Sequence, residues 1–206
     1  SIKVNGKLRR KQFEGNLNVD EPNFVIDFSG GIDLRSKIPV YDFTTTIHRA
    51  HLANLNLLKR DESANLALAA DINIRGRDLD ELTGFIHAHD IVYSELEDTI
   101  NIAKMQFTSE RGNDVQTANF RSDLLDFDLK GRYKRSHLFD AINQVIAMYF
   151  PVFRDQKQKN VPPADLAIDI KTYDLNDVTR IFLPELSVSN NSTFHGELNN
   201  QTGLFK

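Results

Sequence analysis

The amino-acid sequence predicts a mainly β protein: a long serial antiparallel sheet, curled by its own twist, with one amphipathic α-helix near residues 136–150. Three observations carry this. Over 63–75 the even positions Ala64, Leu66, Leu68, Ala70, Ile72 and Ile74 are apolar, while the odd ones are polar or small and end with Asp71, Asn73 and Arg75. Side chains alternate faces along a strand, so this segment is a ribbon with one apolar and one polar side. The same pattern recurs at 13–19, 24–34 and 125–133. The period changes to a helical one at 136–150, where Leu138, Ile142, Val145, Ile146 and Tyr149 fall three and four apart.

The elements follow in order. Phe13, Leu17 and Val19 alternate with Glu14, Asn16 and Asn18, and Glu21-Pro22-Asn23 reads as a turn. Phe24, Ile26, Phe28, Gly30, Ile32 and Leu34 then alternate against Asp27, Ser29 and Asp33. A strand from Val40 to about His48 carries Tyr41, Phe43 and Ile47 on one face; Val40 is out of phase, which predicts a register change at its start. Residues 51–58 suit either a short strand or an irregular edge, and Gly76 to Gly84 is a polar connection with room for one helical turn. Strands are expected at about 85–93, 99–108, 114–121 and 125–133. The apolar phase flips after Ile102 and again near Thr117-Ala118, and a β-bulge at each place would exchange the faces. Ser136 is the expected N-cap of the helix and Pro151 its stop. Residues 154–164 form a polar loop, so helix and loop together read as an insertion in one all-β segment spanning 1–206. Leu166, Ile168 and Ile170 resume a strand. Asp174 caps a short helix ended by Pro184, and 186–188 and 194–198 close the chain as strands.

Composition narrows the function. A hydrophobic fraction of 40% and a charged fraction of 26% describe a folded chain rather than a disordered one. The net charge of −4 is spread over interspersed acids and bases, so no nucleic-acid footprint is expected, and Lys7-Leu8-Arg9-Arg10-Lys11 reads as a solvated turn. There is no cysteine, which removes thiolate catalysis and cysteine-ligated metal. The chain opens at Ser1 directly into Ile2-Lys3-Val4, as expected of a fragment of something longer.

Polar candidates for chemistry have simpler explanations. His87 and His89 share a strand face but lack a third metal ligand. Asp126 and Asp128 alternate with Leu125, Phe127 and Leu129, which places them on the polar side of an amphipathic strand. Asn190 to Thr193 and Asn200-Gln201-Thr202 contain glycosylation sequons that asparagine-rich turns produce by chance. No catalytic role and no cofactor is expected. The apolar face itself remains, and it either packs as an ordinary β-sandwich core or lines a groove for an apolar ligand.

Residues 72–93, I-N-I-R-G-R-D-L-D-E-L-T-G-F-I-H-A-H-D-I-V-Y, resemble the strand–loop–strand unit of AsmA-like proteins, the TamB type of Bacteroidetes in particular. F-E-G-N-L-N-V-D-E-P-N-F-V-I-D-F-S-G, F-R-S-D-L-L-D-F-D-L-K-G-R-Y with the helix after it, and I-F-L-P-E-L-S-V-S-N-N-S-T-F-H-G-E-L are similar in the same way. The resemblance implies a β-taco-like open trough with an apolar interior, located in the periplasm. It implies an inner-membrane anchor outside these residues, phospholipid acyl chains as cargo, and a BamA-related TamA-like outer-membrane partner. The lining expected from strand phase is Phe13, Leu17, Phe24, Ile26, Phe28, Ile32, Leu66, Leu68, Ile72, Ile74, Phe127 and Leu129. Two rival functions are a chaperone-like assembly factor that templates client strands along a free edge, and a carbohydrate-binding or adhesive β-sandwich.

Overall fold

The computed structural model describes residues 1–58, 61–149, 160–182, 184–185 and 188–206. These residues form one 12-stranded antiparallel sheet in which each strand lies beside its sequence neighbour. The first half comprises β1 (Ile2–Arg9), β2 (Gln12–Glu21), β3 (Phe24–Asp33), β4 (Val40–His51), β5 (Asn65–Arg75) and β6 (Thr83–Glu95). The second comprises β7 (Asp98–Arg111), β8 (Gln116–Ser122), β9 (Leu125–Arg132), β10 (Asp165–Thr172), β11 (Thr193–Asn199) and β12 (Leu204–Phe205). The end strands β1 and β12 do not pair, so the sheet is open and not a barrel. A single sheet of this kind also departs from a two-sheet sandwich.

Short polar turns make the meander possible. Lys11, Asn56, Leu96 and Asn191 take positive φ in the connections, the region where a tight reversal is made. In the β5–β6 connection the Asp78 carboxylate accepts the N–H groups of Asp80 and Glu81 at 3.0 and 3.1 Å, an Asx turn rather than a helix. The basic cluster is divided: Lys7, Leu8 and Arg9 belong to β1, and Arg10-Lys11 is the hairpin turn.

Register differs from the sequence expectation at three places. Val40 pairs with Asp33 and Arg75 in the same register as the rest of its strand, so nothing shifts there. The slip comes at the far end of β4, where Ile47 faces Leu68 and Ala50 faces Leu66, leaving His48 and Arg49 opposite a single residue. The phase flip after Ile102 is real, but β7 pairs with β6 without a slip. Instead β6 carries the extra residue relative to β5, at Asp90 (φ 52°), and β7 follows it. No bulge exists at Thr117-Ala118: β8 keeps one register with both neighbours, and Val115 simply precedes the strand.

Two helices lie on the apolar side. A 3-10 turn, Arg135–His137, leads into α1 (Leu138–Tyr149), between the adjacent strands β9 and β10. Ser136 is not its N-cap. It sits inside the 3-10 turn, and its N–H and hydroxyl donate to Asp80 at 2.9 and 2.8 Å. Tyr149 at the other end donates its hydroxyl to Gly203 O at 2.9 Å. Helix α1 therefore runs from the β5–β6 turn to the β11–β12 turn along one end of the strands. Its Ala141 and Val145 pack with Leu129, Leu166 and Leu198. The second helix, α2 (Asn176–Phe182), begins after Asp174, whose carboxylate accepts the Asn176 N–H at 3.0 Å. Its Ile181 packs with Ala50, Leu52, Tyr93 and Ile100 at the opposite strand end. The expected helix stop at Pro151, most of the 154–164 loop and the start of the 186–188 strand lie outside the described residues.

Candidate apolar groove

Register converts alternation into rows that cross the sheet. Gly30 of β3 faces Phe43, and from there the row continues Ile72, Ile86, Phe107, Phe120, Phe127, Ile170 and Phe194. Every strand from β4 to β11 thus contributes a large apolar residue. At about 4.8 Å per strand spacing the row spans roughly 33 Å, close to the hydrocarbon thickness of a bilayer. On one side runs a row of Phe13, Ile32, Tyr41 and Ile74, interrupted by Gly84 and Ser109, then Ala118, Leu129 and Ile168. On the other, a row runs from Leu17 and Phe28 through Thr45, Ala70 and Ala88 to Met105 and Ser122. Beyond it rise Val19, Ile26, Ile47 and Leu68, then Phe24, Ala50, Leu66, Tyr93 and Ile100. The apolar face thus carries rows of bulky residues to either side of a row whose middle members Thr45, Ala70 and Ala88 are small, and one helix lies at each strand end.

All twelve residues expected to line a groove fall on this one face. Eleven of them are half-buried, and Leu129 alone is buried, at 3% exposure beneath α1. Ala70 and Ala88 are buried, with Leu68, Ile72 and Met105 among the residues packed against them. Alternation alone missed Phe43, Ile86, Phe107, Phe120, Ile170 and Phe194 as one line. The phase flips in β4, β6 and β7 hide that continuity until the pairing is known.

The opposite face is a polar ladder. Asn119 and Arg121 donate to Asp128 across the β8–β9 pair, Arg121 at 2.6 and 2.8 Å. Partial burial opposes ionisation of Asp128, but these donors outweigh it and hold the carboxyl below its ordinary value. Asp126 accepts the Tyr173 hydroxyl at 2.8 Å. Both acids lie on the polar side, as their alternation implied. His87 stacks on Phe85 at 4.5 Å, and His89 bonds Asp90 at 2.7 Å. Among the described residues no group of three or more His, Cys, Asp or Glu could hold a metal ion. Asn200 of the second sequon is buried, its amide donating to Gln144 and Pro162 O. A cavity of about 360 Å³ lies on the polar side, lined by Asn16, Asn18, Asp27, Ser29 and Thr44.

Among the described residues no helix is long and apolar enough to cross a membrane. Comparison with protein-family models, with curated proteins and with solved structures returns no match. The chemistry of the two faces therefore carries the functional reading.

Proposed function

We propose that the apolar face is a hydrocarbon-binding trough, and that the chain is a periplasmic segment of a TamB/AsmA-like protein carrying phospholipid acyl chains between inner and outer membranes. The carrying observation is the unbroken Phe43-to-Phe194 row of large, partly exposed apolar residues on an open sheet. A sheet with one face on a core would bury that row. Here both helices stand at the strand ends and leave the bulky residues of the middle rows only half-buried, over a buried Thr45, Ala70 and Ala88. Each methylene fully buried contributes about 0.8 kcal/mol, and one-sided contact contributes a fraction of that. Two long acyl chains would still bind, with headgroups toward solvent. The lining offers no single deep anchor, so a bound chain can slide from strand to strand without hydrolysis or a cofactor. An inner-membrane tether and a TamA-like outer-membrane partner belong to this reading through sequence outside these residues.

The test is lipid content. The purified protein should release phospholipid into an organic extract, detected by mass spectrometry, and Leu68→Arg should keep a cooperative thermal melt while losing that lipid. An extract without phospholipid, even after incubation with phospholipid vesicles, would end the proposal. So would lipid retained at the native level by Leu68→Arg.

A further inference from the structure

Buried polar side-chain atoms without a hydrogen-bond partner gather at one place. Four of the five such atoms among the described residues are Gln116 Oε1, Tyr133 Oη, Arg135 Nε and Arg135 Nη2. Buried polar groups are normally satisfied, so each exception asks for a cause. The three residues are neighbours. Gln116 Nε2 donates to Tyr133 O at 3.0 Å. Tyr133 is 5% exposed and belongs to the apolar cluster of Leu129, Ala141 and Val145. Burial pushes its phenol up, and the Arg135 guanidinium beside it pulls the other way. Arg135 uses only Nη1 of its guanidinium within the described residues, donating to Leu79 O and Leu82 O at 3.0 and 2.6 Å. The Asp80 carboxylate nearby is engaged by Ser136 and makes no bond to Nε or Nη2.

The unused edge has a definite chemistry. Nε and Nη2 present parallel N–H bonds, the fork that grips two oxygens of one anion. The chain uses this edge elsewhere: Arg35 holds Asp33 with Nε to Oδ1 at 2.9 Å and Nη2 to Oδ2 at 2.5 Å, and Arg77 holds Glu81 in the same way. At Arg135 no acid fills the fork among the described residues, and an uncompensated buried charge is costly. Its place on the apolar face is also defined. Leu82 O, which accepts Arg135 Nη1, accepts the Ser109 hydroxyl as well, at 2.6 Å. Ser109 and its partner Gly84 are the residues that interrupt the row between Ile74 and Ala118. The guanidinium therefore stands at that gap, one row from Ile86 and Phe107.

We propose that Arg135 and Tyr133 form a phosphate site, in which the Nε–Nη2 edge binds two oxygens of a phosphodiester and the Tyr133 hydroxyl donates to the same group. The phosphodiester is that of a phospholipid, a choice that rests on the hydrocarbon-trough reading, with acyl chains running from the gap over Ile86 and Phe107. Its single negative charge balances the single guanidinium. Free phosphate at neutral pH brings more charge with no second cation on the fork. Gln116 Oε1 is the acceptor that a headgroup hydroxyl would use.

NMR of the purified protein tests this through two reporters, the Arg135 Nε–H and the Ile86 methyls. The probes are dihexanoylphosphatidylglycerol, dihexanoylglycerol, inorganic phosphate and hexanoate. The phospholipid should shift both reporters along one saturation curve, and dihexanoylglycerol should shift Ile86 alone. Inorganic phosphate should shift Arg135 alone, at about tenfold higher concentration. Tyr133→Phe keeps the ring in its cluster, and Arg135→Lys keeps the charge and a donor for Leu82 O. Each should weaken phospholipid binding about tenfold and leave dihexanoylglycerol binding unchanged; if a variant unfolds, the wild-type titrations decide. Phospholipid in the organic extract with an unmoved Arg135 signal would overturn the site and leave the trough standing. No lipid in the extract and no response of Ile86, with Arg135 still shifted by inorganic phosphate, would end the trough and overturn phospholipid as the source. Hexanoate shifting Arg135 as strongly as the phospholipid would overturn phosphate as the ligand.

Discussion

The rings of Phe13 and Phe28 come to 5.8 Å between centroids although the register sets them two rows apart. The pair between them is Gly15–Gly30, which has no side chains. Phe28 in turn meets Phe43 at 4.6 Å, and Phe43 stands opposite Gly30. An aromatic cluster over β2–β4 is therefore closed across bare backbone, and the glycines are part of its packing.

Gly30 should be the sensitive member of that arrangement. It takes φ 140°, and an added Cβ would lie 2.4 Å from Asp42 O and 2.5 Å from Phe43 Cα. Gly30→Ala should cost about 2–4 kcal/mol, from backbone strain and displaced pairing. Gly31 is its control, because a Cβ there meets nothing closer than Phe13 O at 3.5 Å; Gly31→Ala should change stability by less than about 1 kcal/mol. Urea denaturation of both variants decides, and equal losses would refute the account.

Asp80 should hold the start of α1 in place. Its carboxylate accepts both the N–H and the hydroxyl of Ser136, while Arg135 Nη1 donates to Leu79 O and Leu82 O at 3.0 and 2.6 Å. Burial opposes ionisation of Asp80, yet the Ser136 bonds outweigh it and hold its carboxyl below 3.8. A depressed carboxyl stabilises the fold above its unfolded value and loses that contribution as pH falls through the folded one. Asp80→Ala should therefore cost about 1–2 kcal/mol near neutral pH and speed amide exchange in α1. The difference from wild type should shrink below pH 3.8, as followed by thermal melts across pH.

The sheet was legible in the sequence because alternation is written into single strands. In β3, β5 and β9, and in β2 up to Val19, one parity is without polar side chains, and those strands supplied all twelve expected lining residues. What stayed hidden depends on two strands at once. The His48–Arg49 bulge and the Asp90 kink are visible only as mismatched pairings, so the flip after Ile102 could be read in β7 while the extra residue behind it sits in β6. Ser136 illustrates a second limit. Its type and position suit an N-cap, but a long-range acceptor, Asp80, takes its hydroxyl instead. The two-residue β12 is too short to leave any periodic trace.

His195 should titrate high. It faces Asp169 across the β10–β11 pair, with Nδ1 2.6 Å from Oδ1. The hydrogen bond to Asp169, then its charge, raise the imidazole above 6.5. A raised histidine stabilises the fold fully below its unfolded value, and that contribution disappears as pH rises through the folded value. NMR titration should give a His195 midpoint above 6.5, and Asp169→Asn should lower it. Because both groups are largely exposed, the melting temperature should move little. An unchanged midpoint in Asp169→Asn would show that the pair does not form.

Leu68 and Leu129 separate trough from core. Both were expected to line a groove, and both lie on the apolar face. Leu129 is sealed under Ala141 and Val145 of α1. Leu68 is half-buried beside the Asp90 kink, with no helix above it among the described residues. An arginine at 129 would bury an unpaired charge, so Leu129→Arg should cost more than about 4 kcal/mol and break cooperative unfolding at that end of the sheet. An arginine at 68 can carry its guanidinium to water along its methylene stem, so Leu68→Arg should cost about 1 kcal/mol. Urea denaturation of the two variants checks the contrast. Losses of the same size would mean that the middle rows are covered as tightly as the end under α1, and a trough could not exist there.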